Sequence, residues 1–124
     1  MKKVTKMAAQ GDVLFRRVEG VPVGAKPLPA SAGAYVVAHS ETGHHHTVDA
    51  AGVEWYAHPT DALTSYLRLL PAGDGGPAEG VDVVHHRPWD THETLRLLNQ
   101  TEGVVYEIRR QREHTPEGWR LVVD

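Results

Sequence analysis

The sequence has two short apolar runs rich in β-branched and aromatic residues, Ala34-Tyr35-Val36-Val37-Ala38-His39 and Gly52-Val53-Glu54-Trp55-Tyr56-Ala57-His58. Runs of this length and composition are typical of strands that are buried on at least one face. A histidine triplet, residues 44–46, lies between them. The sequence therefore predicts a hairpin whose connection carries the histidines.

Similar runs recur along the rest of the chain, and 12 glycines and 8 prolines divide them into short segments. Further strands are predicted at residues 13–19, 65–70, 81–85, 94–98 and 104–108, and a last pair flanks a type I turn at 115–118. Together these elements predict an all-β fold over residues 1–124. We expect a small single-domain barrel or sandwich of about seven or eight short strands with little helix.

The type or pairing of three further segments is less direct to predict. Residues 60–70 also fit one face of a helix, and we favour a strand from Ser65. Residues 21–29 contain three prolines, which predicts an extended connector and not a ladder strand. Residues 94–98 and 104–108 are separated by five residues, so we expect them to pair as a hairpin.

Composition excludes several classes of protein. The chain has no cysteine, which excludes disulfide scaffolds and every thiolate site. Its formal net charge of −3 lacks the basic field of nucleic-acid binders, so nucleic acid is an unlikely partner. The longest apolar run, residues 34–38, is far shorter than the roughly 20 residues of a membrane span. The lysines near the start precede no apolar signal segment, so we expect a cytoplasmic protein.

The histidine triplet has the spacing of a metal site. In an extended segment His44 and His46 project from the same face about 7 Å apart, so both imidazoles can reach one ion, while His45 faces away. Zinc usually takes three or four protein ligands, and iron or manganese takes further oxygen donors. The remaining ligands must therefore come from another part of the chain.

A second histidine group, residues 85–93, can supply those ligands around the bend at Pro88. Because neighbouring residues of a strand point to opposite faces, at most one of His85 and His86 joins the site. We predict a divalent transition metal, Zn, Fe, Mn or Ni, held by His44, His46, His86 and His92, with His85 as the alternative to His86. The opposing interpretation is that the two groups lie at opposite ends of the sheet.

An H-x-H pair followed by a later histidine on a small β scaffold resembles the cupin arrangement. That resemblance implies a metal-dependent enzyme with an open coordination position for substrate or oxygen. Glu41 or Asp49 would then act as the acid or base.

A second resemblance covers most of the chain. Its motifs are Gly11-Asp12-Val13-Leu14, Pro22-Val23-Gly24-Ala25, Glu41-Thr42-Gly43-His44-His45-His46 and Arg110-Gln111-Arg112-Glu113-His114-Thr115-Pro116-Glu117. They resemble an uncharacterised family of small bacterial and phage-encoded β-proteins, in which a tyrosine usually stands where this chain has His114. The resemblance implies all-β structure and marks His44, His46, Arg110, Gln111, Arg112 and Glu113 as the positions that matter.

From these observations we expect a small non-catalytic β binding or assembly module of phage or prophage origin, with a histidine cluster able to bind a divalent metal. In a virion it would be an accessory, capsid-associated protein. The lysine-rich start favours contact with a neighbouring subunit, hence a homo-oligomer or a larger protein assembly. The alternatives are the cupin-like metal enzyme and an interface that responds to pH through its histidines.

Overall fold

The computed structural model describes residues 1–39, 45–86 and 94–110 with their side chains, and the backbone of residues 112–115 and 118–121. These residues form thirteen strands and one 3-10 helix, η1 at Ala72–Asp74. The strands are β1 Lys2–Val4, β2 Met7–Gln10, β3 Val13–Val18, β4 Lys26–Pro27, β5 Ala34–Ala38, β6 His46–Asp49, β7 Val53–Ala57, β8 Thr64–Leu69, β9 Val81–His85, β10 Leu95–Leu97, β11 Val104–Arg110, β12 Arg112–Thr115 and β13 Gly118–Leu121.

Eleven strands form two sheets that pack face to face. The first sheet has the order β1-β10-β9-β6-β5, and the second has the order β2-β3-β11-β8-β7-β4. All neighbouring strands are antiparallel except β1 and β10, which are parallel. Strands β12 and β13 form a separate hairpin. The predicted all-β class is confirmed, as a sandwich-like domain and not a closed barrel among the described strands.

Alternation of side chains along the strands builds the core between the sheets. Phe15 on β3 lies opposite Ile108 on β11, and both are almost completely buried. Leu67 and Leu69 on β8 point to the same side, and Val83 of the first sheet belongs to the same buried cluster. Each such side chain contributes roughly 1.5–3 kcal/mol of transfer free energy. The buried faces fix which side of every strand turns inward.

The structure has more strands than the seven or eight predicted. Strands β1, β2 and β6 have three or four residues, too few to show a clear alternation in the sequence. The proline-rich segment was predicted to form no strand, yet Lys26 and Pro27 pair with β7. A two-residue strand at the edge of a sheet tolerates proline because the missing N–H costs no ladder hydrogen bond there.

Two hairpins predicted from the sequence, residues 34–39 with 52–58 and residues 94–98 with 104–108, do not form, so both predictions are wrong. Strand β5 pairs with the intervening β6, while β7 belongs to the other sheet. Likewise β10 pairs with β9 and β1, while β11 lies in the second sheet. The β10–β11 connection crosses between sheets, and the Asn99 amide holds it by donating to the carbonyls of Leu70 and Pro77 at 2.8 and 2.9 Å. Local spacing cannot reveal such a crossing.

Two other predictions are confirmed. Residues 64–69 form a strand and not a helix, and they pair with both β7 and β11. The last hairpin also forms, with Thr115 opposite Gly118. No helix within the described residues is long and apolar enough to cross a membrane.

Asp61 stabilises the turn between β7 and β8 in its charged form. Its carboxylate accepts hydrogen bonds from the Leu63 backbone N–H at 2.9 Å and the Thr64 hydroxyl at 2.7 Å. The Leu63 hydrogen bond, followed by that from Thr64, lowers the pKa of Asp61 below its ordinary value. A lowered folded-state pKa stabilises the fold above the unfolded-state value of about 3.9, and this contribution is lost as the pH falls through the folded-state pKa.

Asp61→Asn is therefore expected to be less stable than the wild type at neutral pH, by less than about 1 kcal/mol because the group is solvent-exposed. The difference should persist down to about pH 5 and shrink at lower pH. Urea unfolding from pH 7 to pH 3 measures it. If the difference in the free energy of unfolding stayed constant over this range, the charge on the Asp61 carboxylate would contribute nothing to stability.

Candidate functional site

One end of the sandwich brings together polar side chains from both sheets. In the first sheet, β6 begins at His46 and β9 ends at His85, and the two residues are register partners. In the second sheet, Gln10 and Arg110 pair with Val13 from opposite sides. The turn between β2 and β3 places Asp12 at the same end. We call this region the histidine end, defined by Gln10, Asp12, His46, His85 and Arg110.

His46 is the centre of this cluster and is only 2% exposed. Its Nδ1 lies 2.8 Å from Oε1 of Gln10, which is also buried. The Gln10 amide nitrogen donates to the Val83 carbonyl at 2.9 Å, so its oxygen faces His46. An amide oxygen can only accept, and Nδ1 must therefore carry the hydrogen. This contact holds the ring with Nε2 towards the Asp12 carboxylate, 3.8 Å away.

His85 stacks on His46 across the sheet. The ring centroids are 3.9 Å apart and the planes are inclined by 16°. His85 is also 2% exposed, so two imidazoles share a space that a sandwich normally fills with aliphatic side chains. The interpretation in which the two histidine groups lie at opposite ends of the sheet does not hold for these two residues.

His86 lies on the other face of the same sheet. It is exposed, and its Nε2 forms a 2.8 Å hydrogen bond with the Thr47 hydroxyl. Its backbone N–H donates to the His45 carbonyl, which continues the ladder between β6 and β9. The structure thus brings His46 together with His85, the alternative ligand, and does not bring it together with His86. The other two predicted ligands, His44 and His92, lie outside the described residues.

His39 and His45 form a second aromatic pair at this end. Their ring centroids are 4.9 Å apart at an interplanar angle of 71°. The His39 carbonyl accepts a 2.8 Å hydrogen bond from Nη2 of Arg110, which links the end of β11 to the end of β5 in the opposite sheet. Arg110 is a position that the family resemblance marks. The side chains of Gln111, Arg112 and Glu113 lie outside the described ones.

The acidic residue that the structure describes at the histidine end is not one of the two that the cupin resemblance offered as acid or base. Asp49 is exposed at the far end of β6, where its carboxylate accepts a hydrogen bond from the Ala51 N–H. Glu41 lies outside the described residues. Asp12 was not among the predicted acids or ligands, yet its carboxylate faces His46. The Gly11-Asp12-Val13 motif was the one sequence signal that pointed to it.

A metal could be held at the histidine end through His46 Nε2 and the Asp12 carboxylate. A metal-bound histidine usually donates its second ring N–H to an oxygen acceptor, and Gln10 supplies that acceptor here. Across residues 1–39, 45–86 and 94–110, no three His, Asp or Glu side chains are grouped closely enough to hold an ion by themselves. A complete coordination sphere therefore needs donors from elsewhere.

These features define a two-sheet β domain with a buried histidine pair fixed by a glutamine and an aspartate. The chain belongs to the family described as Domain of unknown function (DUF8820), whose model matches residues 9–111. The predicted membership of an uncharacterised family is thereby confirmed, while the cupin resemblance stays a prediction. Comparison with curated proteins and with solved structures gave no match.

Proposed function

We propose that this protein is a small non-catalytic β-sandwich binding module whose histidine end holds a divalent transition metal ion. The observation that carries the proposal is the orientation of His46, which Gln10 fixes at Nδ1 and which directs Nε2 to Asp12. Zinc lies about 2.1 Å from a histidine nitrogen and about 2.1 Å from a carboxylate oxygen. Two such ligand atoms are about 3.4 Å apart at a tetrahedral angle and at most about 4.2 Å apart, and the 3.8 Å separation falls between these limits.

His44 and His92 complete the proposed ligand set. Their segments leave the described chain at His39 and His86 and rejoin it at His45 and Thr94, next to the histidine end. With two histidines added to His46 and Asp12, the ion would have the four donors that structural zinc prefers. Any two of these three imidazoles together with the Asp12 carboxylate would also form the two-histidine, one-carboxylate set that suits iron.

Burial favours a structural role for the ion over a catalytic one. A catalytic metal keeps a coordination position that substrate can reach. His46 and His85 are both almost inaccessible to solvent, and Gln10 covers the ring of His46 from the second sheet. An ion at His46 would link the two sheets and stabilise the fold, because its binding free energy adds to the folding free energy.

Assembly is the second part of the proposal. Strands β2 and β5 lie at sheet edges, and Met7 on β2 is 59% exposed. An uncovered edge presents backbone groups that can pair with a further chain. Light scattering after size-exclusion chromatography tests this, and a monomer at every concentration would contradict it. Phage or prophage origin and a place in a virion stay predictions.

Asp12→Asn is expected to remove most of the bound metal while the fold is retained. The substitution keeps the shape of the side chain and removes the charge that an ion would need. Mass spectrometry of untagged protein should give about one equivalent of metal for the wild type and below about 0.2 for the variant. Asp49→Asn is the matched control, since Asp49 is exposed at the other end of β6. Wild-type protein with below about 0.2 equivalents, after expression in metal-supplemented medium, would contradict the proposal.

A further inference from the structure

A cavity of about 300 Å³ lies between the sheets beside the histidine end. Its walls come from β5 in the first sheet and from β7, β8 and β11 in the second, and they include Val37, Leu63 and Ile108. His39, His58 and Asp61 also line it. A volume of this size is at the lower end of the range for small-molecule sites. It corresponds to the space of about ten water molecules.

Two buried hydrogen-bond donors among the residues lining this cavity have no acceptor in the described part of the chain. Nε1 of Trp55 and Nε of Arg110 are both inaccessible to solvent, and neither has a hydrogen-bond partner within the described part of the chain. The indole N–H and the guanidinium N–H groups can only donate. Buried donors are almost always satisfied in folded proteins, so each unsatisfied one requires an explanation.

Arg110 gives the cavity a positive charge. One guanidinium nitrogen, Nη2, is held by the His39 carbonyl, and this contact fixes the side chain across the gap between the sheets. Asp61, the one acid among the described residues that line the cavity, accepts hydrogen bonds from Leu63 and Thr64 at the turn. The His39 carbonyl carries no net charge and does not neutralise the positive charge of Arg110. An anionic oxygen group is therefore the acceptor that best matches the buried Nε–H of this guanidinium.

We propose that this cavity binds a small monocarboxylate with an apolar body. The carboxylate would accept from Arg110 Nε, and the body would pack against Val37, Leu63 and Ile108 and extend towards Trp55. A ligand of about ten non-hydrogen atoms fits the volume. None of the residues of this site is a proposed metal ligand. The carboxylate proposal can therefore be correct whether or not the protein binds a metal.

Titration of the purified protein, with its bound metal retained, with octanoate, and with octan-1-ol as the neutral control of equal length, tests the proposal. The Trp55 indole N–H resonance, identified among those of the three tryptophans by its loss in Trp55→Phe, should move with saturation in octanoate. Octan-1-ol should bind roughly 10- to 100-fold more weakly, because it lacks the charge-assisted hydrogen bonds. Equal affinity for the two compounds, or an unmoved resonance at about 10 mM octanoate, would overturn the proposal.

Arg110→Gln should weaken octanoate binding, followed by calorimetry, roughly 10- to 100-fold. Arg109→Gln is the matched control, since Arg109 is the next residue of β11 but points outward towards Glu107. Unchanged affinity in Arg110→Gln would overturn the proposal. If Arg110→Gln fails to fold, Arg110→Lys keeps the positive charge, removes the Nε donor and should still lose affinity severalfold.

Discussion

His46→Ala is expected to lower the free energy of unfolding by about 2–5 kcal/mol and to abolish the stabilising effect of metal. The substitution leaves a cavity beside His85 and removes the donor that Gln10 Oε1 accepts from. It also removes the ligand that would link the two sheets. Urea unfolding with and without a chelator measures both effects. In the wild type the chelator should lower stability, and in the variant it should change nothing.

His86→Ala is the matched control for this prediction. His86 is exposed on the opposite face, and its ring contacts the Thr47 hydroxyl. Its replacement should change stability by no more than about 0.5 kcal/mol and leave the chelator effect intact. If His86→Ala abolished the chelator effect while His46→Ala preserved it, the ion would lie on the outer face of the sheet, contrary to the proposal.

Gly52→Ala is expected to lower the free energy of unfolding by about 3 kcal/mol or more, a large part of the roughly 5–15 kcal/mol that stabilises a typical domain. Gly52 lies in the turn between β6 and β7 with a φ of 71°, where a Cβ atom is unfavourable. A Cβ added there would also lie 2.3 Å from the Gly75 carbonyl oxygen and 2.8 Å from the Gly76 Cα. Both contacts are with backbone, so one segment would have to move. Thermal unfolding measures the loss.

Gly73→Ala provides the comparison within the same region. A Cβ at Gly73 meets no other atom within 4 Å, and this residue is not among those with positive φ. Stability should stay within about 0.5 kcal/mol of the wild type. If Gly52→Ala were as stable as Gly73→Ala, the turn between β6 and β7 would not be held against the 75–76 segment as described.

The sequence was informative about strands and less so about their partners. Short runs rich in β-branched and aromatic residues marked β5 and β7, whereas the segment of β8 also fitted one face of a helix. Pairing depends instead on which sheet a strand joins. The turn at Asp49-Ala50-Ala51-Gly52 leads from β6 in one sheet to β7 in the other, and no local pattern distinguishes this crossing from a hairpin.

In the candidate site, too, the orientation of side chains along a strand could be predicted from the sequence, and the partners of that strand could not. Strand alternation correctly required that only one of His85 and His86 face His46, but the choice between them depends on the register of β9 against β6. That register follows from the burial of Val83, two residues earlier on the same face. Gln10 and Asp12 were not predicted as partners of His46. They are more than 30 residues away in the chain and reach it only because the sheets pack face to face.

The location of the ion is the most direct test of the account. Anomalous diffraction at the absorption edge of the bound metal should give one peak between His46 Nε2 and the Asp12 carboxylate, at about 2.1 Å from each ligand atom. The Gln10 amide should remain on Nδ1 of the same ring. Metal-bound crystals in which this region has no peak, or in which the ion contacts only histidines on the outer face, would contradict the account.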